Sequence, residues 1–199
     1  MKMQQPFLKV NEIFYSIQGE GPYTGIPAVF VRLSGCSMGC DFCDTKYAFA
    51  EGEMLSIEQI VQKMTQYPCR NAIITGGEPS EQNFLPLVHL LKKQNWTLHL
   101  ETNGAKDIEV GEIDFVVVSP KKYVSASMLH KAHAIKLVVG QETDLEDLKN
   151  YFQYANAHTT VCLQPESNLQ ENIDLCVKII KQNPFLRLSL QTHKMANIK

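Results

Sequence analysis

The stretch Ala28-Val-Phe-Val-Arg-Leu-Ser-Gly-Cys36-Ser-Met-Gly-Cys40-Asp-Phe-Cys43 runs a β-branched segment straight into three cysteines. In a parallel α/β fold the functional groups gather at the carboxyl ends of the strands, and a loop of metal-ligating side chains after a strand is what that rule predicts. Thiolates at x3 and x2 spacing can hold three corners of an iron–sulfur cube and leave the fourth iron without a protein ligand. Such an iron can chelate the amino and carboxylate groups of S-adenosylmethionine and deliver an electron to its sulfonium, whose homolysis gives a 5'-deoxyadenosyl radical.

Other readings of the three thiols ask for more. A structural zinc site wants four tetrahedral ligands, and the nearest further donors in sequence are Cys69 and His89. A disulfide framework leaves one of the three unpaired, and the start Met1-Lys-Met-Gln-Gln-Pro6 has no apolar leader segment. Cys69, Cys162 and Cys176 lie in apolar stretches, where a cysteine acts as a small buried hydrophobe.

The 199 residues, 44% hydrophobic, suit a single domain over 1–199 with a sizeable core. Nineteen basic against 21 acidic side chains give a net charge of −2 without a Lys/Arg run. That leaves no electrostatic footprint for nucleic acid, so the expected substrate is small. No stretch approaches the roughly 18 apolar residues of a membrane span, so no membrane partner is expected and a cytoplasmic enzyme is the expectation.

Working outward, short β-branched runs at 28–33, 72–75, 97–101, 115–119, 135–139, 160–164 and 186–191 read as strands, with helices between them. The segment 56–67 puts Ile57, Ile60, Val61 and Met64 on one face, behind Ser56 and Gln59 in capping-box spacing. Helical periodicity also marks 81–94 through Phe84, Leu87, Val88 and Leu91, 143–154 through Leu145, Leu148 and Phe152, and 169–181 through Ile173, Val177 and Ile180. The chemistry-bearing sequences follow the strands: the cysteine loop, then Thr75-Gly-Gly-Glu-Pro79, Glu101-Thr-Asn-Gly104, Ser119-Pro-Lys121 and Gln164-Pro165. Gly76-Gly77 reads either as a turn or as backbone approached closely by a ligand. Arg32 sits in an apolar run, where a guanidinium is costly unless paired.

The CxxxCxxC at 36–43 and Gly76-Gly-Glu-Pro79 together resemble the radical S-adenosylmethionine superfamily. A narrower likeness rests on Asn11-Glu-Ile-Phe-Tyr-Ser-Ile-Gln-Gly-Glu-Gly21, Phe30-Val-Arg-Leu-Ser-Gly-Cys36, Cys43-Asp-Thr45 and Leu188-Ser-Leu-Gln-Thr-His-Lys194, which resemble the 7-carboxy-7-deazaguanine synthase family nearly end to end. The resemblance implies an α/β fold, an open or abbreviated parallel (βα)6-type partial barrel of the radical SAM kind, with six or so strands because the chain is short for eight units. It implies a carbon–nitrogen lyase that converts 6-carboxy-5,6,7,8-tetrahydropterin to 7-carboxy-7-deazaguanine with loss of ammonia, in queuosine and deazapurine biosynthesis. In that scheme the radical takes hydrogen from C6 of the pterin and later receives it back, so S-adenosylmethionine is used catalytically.

Residue roles implied by the same resemblance follow position by position. Cys36, Cys40 and Cys43 hold the 4Fe-4S cluster, and Thr45 gives a hydroxyl to Mg2+. Phe42, Cys43, Asp44, Gly77, Ser119, Pro120 and Lys121, with Gln164, Pro165, Glu166 and Ser167, contact S-adenosylmethionine. Arg32 pairs with the substrate carboxylate, Glu20 accepts from the pterin N–H edge beside Ile17, Gln18 and Gly19, and Thr75 touches substrate. His193 and the free carboxylate of Lys199 close the pocket, although the family often ends in a small or cyclic residue at that place. No side chain serves as a catalytic acid or base. A homodimer and a flavodoxin- or ferredoxin-type reductant are implied as partners. The rival expectations are a radical activase acting on a partner protein and a non-catalytic iron–sulfur or zinc-binding module.

Overall fold

Strand β2 (Pro27–Leu33) alternates two packed faces, and the residue that breaks its apolar run, Arg32, lies near its carboxyl end. Ala28 and Phe30 point to one side with Ile73 of the neighbouring strand, and Phe14 stacks on Phe30 at 4.8 Å with the rings 4° from parallel. Val29, Val31 and Leu33 fill the other side and are fully buried. The computed structural model describes residues 6–49 and 51–199. The segment 1–5, where no leader is expected, lies outside them.

The chain divides into two compact units. The first comprises 1–16, 27–102 and 108–115. It holds β1 (Phe7–Ile17, up to Ser16), β2, β3 (Glu53–Ser56), α1 (Ile57–Met64), β4 (Asn71–Gly76), α2 (Leu85–Lys93) and β5 (Thr97–Thr102). Its strands lie in the order β3-β1-β2-β4-β5. Strands β2, β4 and β5 are parallel, and β3 is antiparallel to β1. Helix α1 begins where the sequence predicts: the Ser56 hydroxyl accepts from the Gln59 N–H at 3.2 Å, and the Gln59 side chain accepts from the Ser56 N–H at 2.8 Å. Ile57, Ile60, Val61 and Met64 are all buried.

The second unit comprises 17–26, 103–107 and 116–199. It carries β6 (Phe115–Val118), α3 (Ala126–Lys131), β7 (Ala134–Val139), α4 (Leu145–Lys149), β8 (Thr160–Pro165), α5 (Gln170–Gln182), β9 (Arg187–Leu188) and α6 (Thr192–Met195). Its strands run in the order β6-β7-β8-β9, all parallel. The fold is thus mixed α/β with mostly parallel, open sheet, as expected. No helix of the described residues is long and apolar enough to cross a membrane.

Several elements differ from the sequence reading. Nine strands are present among the described residues rather than six or so. β1 and β3 are not continuous β-branched runs, because charged and polar residues interrupt Phe7–Ile17 and Glu53–Ser56 has only Met54 and Leu55 between two polar ends. The segment 186–191 keeps only two strand residues, since the Ser189 side chain turns to donate to Gln164 and the chain leaves extended backbone at Gln191 to enter α6. The helix expected over 143–154 stops at Lys149 and continues as a separate 3-10 turn, Phe152–Tyr154, leaving Leu145 exposed. The helix expected from residue 81 starts only at Leu85, after a 3-10 turn over Pro79–Glu81, because Pro86 suits a first turn and no later position. In α5 the buried line runs through Asn172, Cys176 and Ile179, one residue round from Ile173, Val177 and Ile180.

Candidate active site

In the first unit the cysteine loop follows β2 directly. Cys36, Cys40 and Cys43 are free and partly exposed, whereas Cys69, Cys162 and Cys176 are buried as expected. The N–H groups of Met38 and Gly39 point at the Cys36 sulfur, and the Thr45 N–H donates to Cys43 Sγ at 3.4 Å. N–H···S bonds of this kind stabilise thiolates and tune a cluster they hold. Burial pushes the Cys36 thiol up, with those two N–H groups opposing and Glu81 and Glu78 adding to the push. Bound iron outweighs such a bias, since a coordinating thiol is deprotonated outright. Among the described residues no three His, Cys, Asp or Glu side chains converge on a single ion. Each thiolate of a cubane binds a different iron, so its ligands need not meet at one point, and the donor set fits the cluster.

The loop is clamped by the segment after β4. Gly77 N donates to Leu33 O at 2.9 Å and Glu78 N to Gly35 O at 2.8 Å. A Cβ on Gly77 would lie 2.2 Å from Gly35 O and 2.9 Å from Cys36 Cβ. The close approach that the glycine permits is therefore to the cysteine loop itself. Glu78, almost fully buried, accepts from Ser80 N at 3.0 Å and from Thr102 Oγ1 at 2.6 Å. Glu81 Oε1 accepts from both Ser37 N (2.8 Å) and Ser37 Oγ (2.6 Å). Phe42 is exposed, and the Thr45 hydroxyl donates to Asp44 Oδ1 at 3.0 Å.

Arg32 has the partner that its burial demands: Nε meets Glu12 Oε1 of β1 at 2.9 Å. The guanidinium also lies 5.8 Å from the Phe14 ring centre and 5.7 Å from that of Tyr47, within cation–π range. Tyr47 Oη donates to the same Glu12 oxygen at 3.2 Å. Thr75 is the register partner of Arg32 across β2 and β4, so the two side chains share a face.

In the second unit the segment 17–26 meets the chain's last turns. Thr192 donates through N (2.9 Å) and Oγ1 (3.0 Å) to Gly19 O. A Cβ on Gly19 would fall 2.3 Å from His193 Nδ1, so only glycine fits there without moving the imidazole. Gln18 is buried and its Oε1 accepts from Glu20 N at 3.1 Å, while Ile17 is exposed. Glu20 accepts from Lys136 Nζ of β7 in a short ion pair and from Gln191 Nε2 at 2.8 Å. Burial alone would raise the Glu20 pKa, but the Lys136 charge, the bonds from Lys136 and Gln191 and the nearby His193 prevail and hold it below its ordinary value.

Ser119, at the end of β6, donates to Lys136 O at 2.9 Å and accepts from Lys121 Nζ at 2.7 Å. Near the end of β8, Gln164 Oε1 accepts from Ser189 Oγ at 3.2 Å, and Ser189 Oγ accepts from Gly21 N at 2.8 Å. Pro165 is buried, and Glu166 Oε2 packs 2.6 Å from where a Cβ on Gly140 would lie. Ser167 and Asn168 both adopt left-handed backbone, at φ 55° and 53°, which non-glycine residues seldom do. Asn168 holds that turn by exchanging two hydrogen bonds with the Gln191 backbone, at 3.0 and 3.1 Å.

The radical SAM superfamily model matches residues 30–114. A 7-carboxy-7-deazaguanine synthase of Bacteroides thetaiotaomicron is 37% identical over 194 residues, covering 96% of this chain and 98% of that protein. The one from Escherichia coli K12 is 34% identical over 226 residues, covering 98% and 100%. This chain belongs to the 7-carboxy-7-deazaguanine synthase family. The solved structure of QueE from Escherichia coli superposes with a TM-score of 0.83 at 31% identity, over 92% of this chain and 93% of that one. TYW1 with a lysine-pyruvate adduct bound, at 14% identity and a TM-score of 0.55, shares the fold alone. A 7-carboxy-7-deazaguanine synthase is a radical SAM lyase, and the family brings a 4Fe-4S cluster and S-adenosylmethionine as its cofactors.

Within this family frame the sequence motifs miss the partners that hold them. Glu12 and Gln191 lie in the family-like stretches 11–21 and 188–194 with no role assigned to them there, and no motif holds Tyr47, Glu81 or Lys136. Lys136 does carry a signal, a lone charge in the apolar run Ile135-Lys-Leu-Val-Val139 that parallels Arg32 in its own strand.

Proposed function

We propose that this chain converts 6-carboxy-5,6,7,8-tetrahydropterin to 7-carboxy-7-deazaguanine with loss of ammonia, in queuosine biosynthesis. The observation that carries this reading is kinship with 7-carboxy-7-deazaguanine synthases over 96% of the chain. When bound, the cluster and S-adenosylmethionine would supply radical chemistry, the means to exchange a hydrogen atom with the substrate.

The chain's own residues bind, orient and shield. Cys36, Cys40 and Cys43 hold three irons. In this reading Phe42, Asp44, Gly77, Ser119, Pro120, Lys121 and the turn 164–167 contact the cofactor. Glu12 occupies Arg32 Nε, so the two terminal nitrogens form the fork that suits a substrate carboxylate. Glu20, kept ionised by Lys136, is an acceptor for pterin N–H groups. Ile17, Gln18, Gly19, Thr75, His193 and the Lys199 carboxylate complete the substrate contacts in this reading.

Thr45 would hold Mg2+ through its hydroxyl, which donates to Asp44 Oδ1 at 3.0 Å. The enzyme works in the cytoplasm as a homodimer and draws electrons from a flavodoxin or ferredoxin. Reduced, reconstituted protein given the carboxytetrahydropterin under anoxia is expected to form the deazaguanine without net consumption of S-adenosylmethionine. Stoichiometric cleavage of S-adenosylmethionine with no deazaguanine refutes the proposal.

A further inference from the structure

Lys136 is a charged residue in the middle of an otherwise apolar strand. Its side chain is 9% exposed, its neighbours Ile135 and Leu137 are buried, and its ammonium meets Glu20 Oε2. Placing a lysine there is costly unless its charge is paired, and Glu20 supplies that pairing from a loop 116 residues earlier in the chain. The opposite oxygen of Glu20 accepts from Gln191 Nε2 at 2.8 Å. Gln191 is held in turn: Lys194 Nζ donates to its Oε1 at 2.8 Å, and Asn168 binds its backbone N and O. Each carboxylate oxygen of Glu20 therefore has one donor that fixes its plane, and each keeps a second lone pair for another donor.

We infer that Lys136 is a positioning residue for the reaction, which through its ion pair with Glu20 fixes that carboxylate as an ionised double acceptor and so selects a substrate presenting N–H donors. The inference rests on the reading that Glu20 meets the pterin. An ionised acceptor rejects a ligand edge of carbonyl oxygens, because two acceptors then face each other without a proton, whereas a protonated carboxyl would tolerate either. The backbone of the same residue serves the neighbouring strand end, for Lys136 O accepts from Ser119 Oγ at 2.9 Å. Gly21 N donates to Ser189 Oγ and Thr192 to Gly19 O, so the loop that carries Glu20 is fastened on both sides of it. Its side chain is aimed by Lys136 and Gln191.

The test is steady-state kinetics of the reduced, cluster-loaded enzyme with varied carboxytetrahydropterin, for wild type, Lys136→Met, Lys136→Arg, Glu20→Gln and the double variant Glu20→Gln/Lys136→Met. Iron content and thermal midpoint accompany each. Lys136→Met is expected to lower kcat/KM about 10- to 100-fold, mostly through KM. Lys136→Arg, which keeps the charge, should restore a large part. The double variant should be no worse than Glu20→Gln, since a neutral amide leaves Lys136 nothing to orient. Normal kcat/KM in Lys136→Met beside an impaired Glu20→Gln overturns the inference and leaves the role of Glu20 standing. Losses that multiply in the double variant overturn it too, for Lys136 then acts apart from Glu20. A normal Glu20→Gln removes Glu20 from the substrate site, and the inference with it. If Lys136→Met fails to hold its cluster or fold, the double variant read against Glu20→Gln decides, and a further fall in kcat/KM there refutes.

Discussion

Replacing Gly77 by alanine is the sharpest test of how the cysteine loop is held. The added Cβ would sit 2.2 Å from Gly35 O, 2.6 Å from Gly35 C and 2.9 Å from Cys36 Cβ. Those atoms are backbone or the root of a cluster ligand, so no flexible side chain can swing aside. Relief requires the two segments to part by about 1 Å, since an ordinary carbon–oxygen contact is near 3.2–3.5 Å. The bonds Gly77 N to Leu33 O (2.9 Å) and Glu78 N to Gly35 O (2.8 Å) would then stretch past hydrogen-bonding range. Overpacking at a rigid contact together with two weakened hydrogen bonds costs about 3 kcal/mol, which in a 199-residue chain lowers the thermal midpoint by about 6–12 °C. The assay is thermal unfolding of the cluster-loaded protein, with iron counted per chain and the cluster's paramagnetic spectrum followed as S-adenosylmethionine is added. Gly111→Ala is the control, because a Cβ there meets nothing within 4 Å, and its midpoint should stay within about 1–2 °C of wild type. A Gly77→Ala protein with the same midpoint, iron content and cofactor response as wild type refutes the reasoning.

Three further outcomes are expected. Thr45→Ala should slow turnover and abolish its stimulation by added Mg2+ while iron content holds, and an unchanged Mg2+ dependence removes Thr45 from the ion. Glu81→Ala takes the acceptor from Ser37 N and Oγ, so loss of iron to a chelator should quicken and stability fall by about 1 kcal/mol; an unchanged release rate shows that the clamp is idle. Glu20→Gln removes the carboxylate charge that faces Lys136, which should lower stability at pH 7 in denaturant unfolding. The folded pKa of Glu20 lies below its ordinary 4.5, so its contribution is whole above pH 4.5 and is lost as pH falls through the depressed folded value. The gap between wild type and Glu20→Gln should therefore narrow only in that acid range, and a gap that narrows between pH 8 and 6 contradicts the pairing.

The strands legible in the sequence are those buried on both faces, because such strands are continuous apolar runs. Residues 28–33, 72–75, 97–101, 135–139 and 160–164 all fall inside observed strands. β1 is invisible to that criterion. Along Phe7–Ile17 only Leu8 and Val10 are buried, and the rest of the strand is half-buried or exposed. Its residues Asn11–Ile17 carry a family likeness without carrying the apolar run that marks a strand. The failure at 143–154 has a different cause. Leu145, Leu148 and Phe152 keep helical spacing, yet the chain breaks after Lys149, and a stripe of three apolar residues specifies a face without specifying that the helix continues across it.

The candidate site divides along the same physical line. Ligand-bearing motifs are local, so the three cysteines, the Gly76-Gly77 turn and the Gln-Thr-His segment can be read from a few consecutive residues. What orients them is not local: Glu12 reaches Arg32 across 20 residues, Glu81 reaches Ser37 across 44, and Lys136 reaches Glu20 across 116. Spacing carries no trace of such pairs because sheet register and loop return, not sequence proximity, bring them together. One sign does survive in sequence. A charge inside a strand that is otherwise apolar cannot remain unpaired, so Arg32 in Phe30-Val-Arg-Leu33 and Lys136 in Ile135-Lys-Leu137 each announce an opposite charge elsewhere in the chain. The carboxylates that answer, Glu12 and Glu20, both lie in the segment 11–21, which also carries the amides of Asn11 and Gln18. Each cation thus finds its carboxylate in that segment: Glu12 Oε1 lies 2.9 Å from Arg32 Nε, and Glu20 Oε2 meets the Lys136 ammonium.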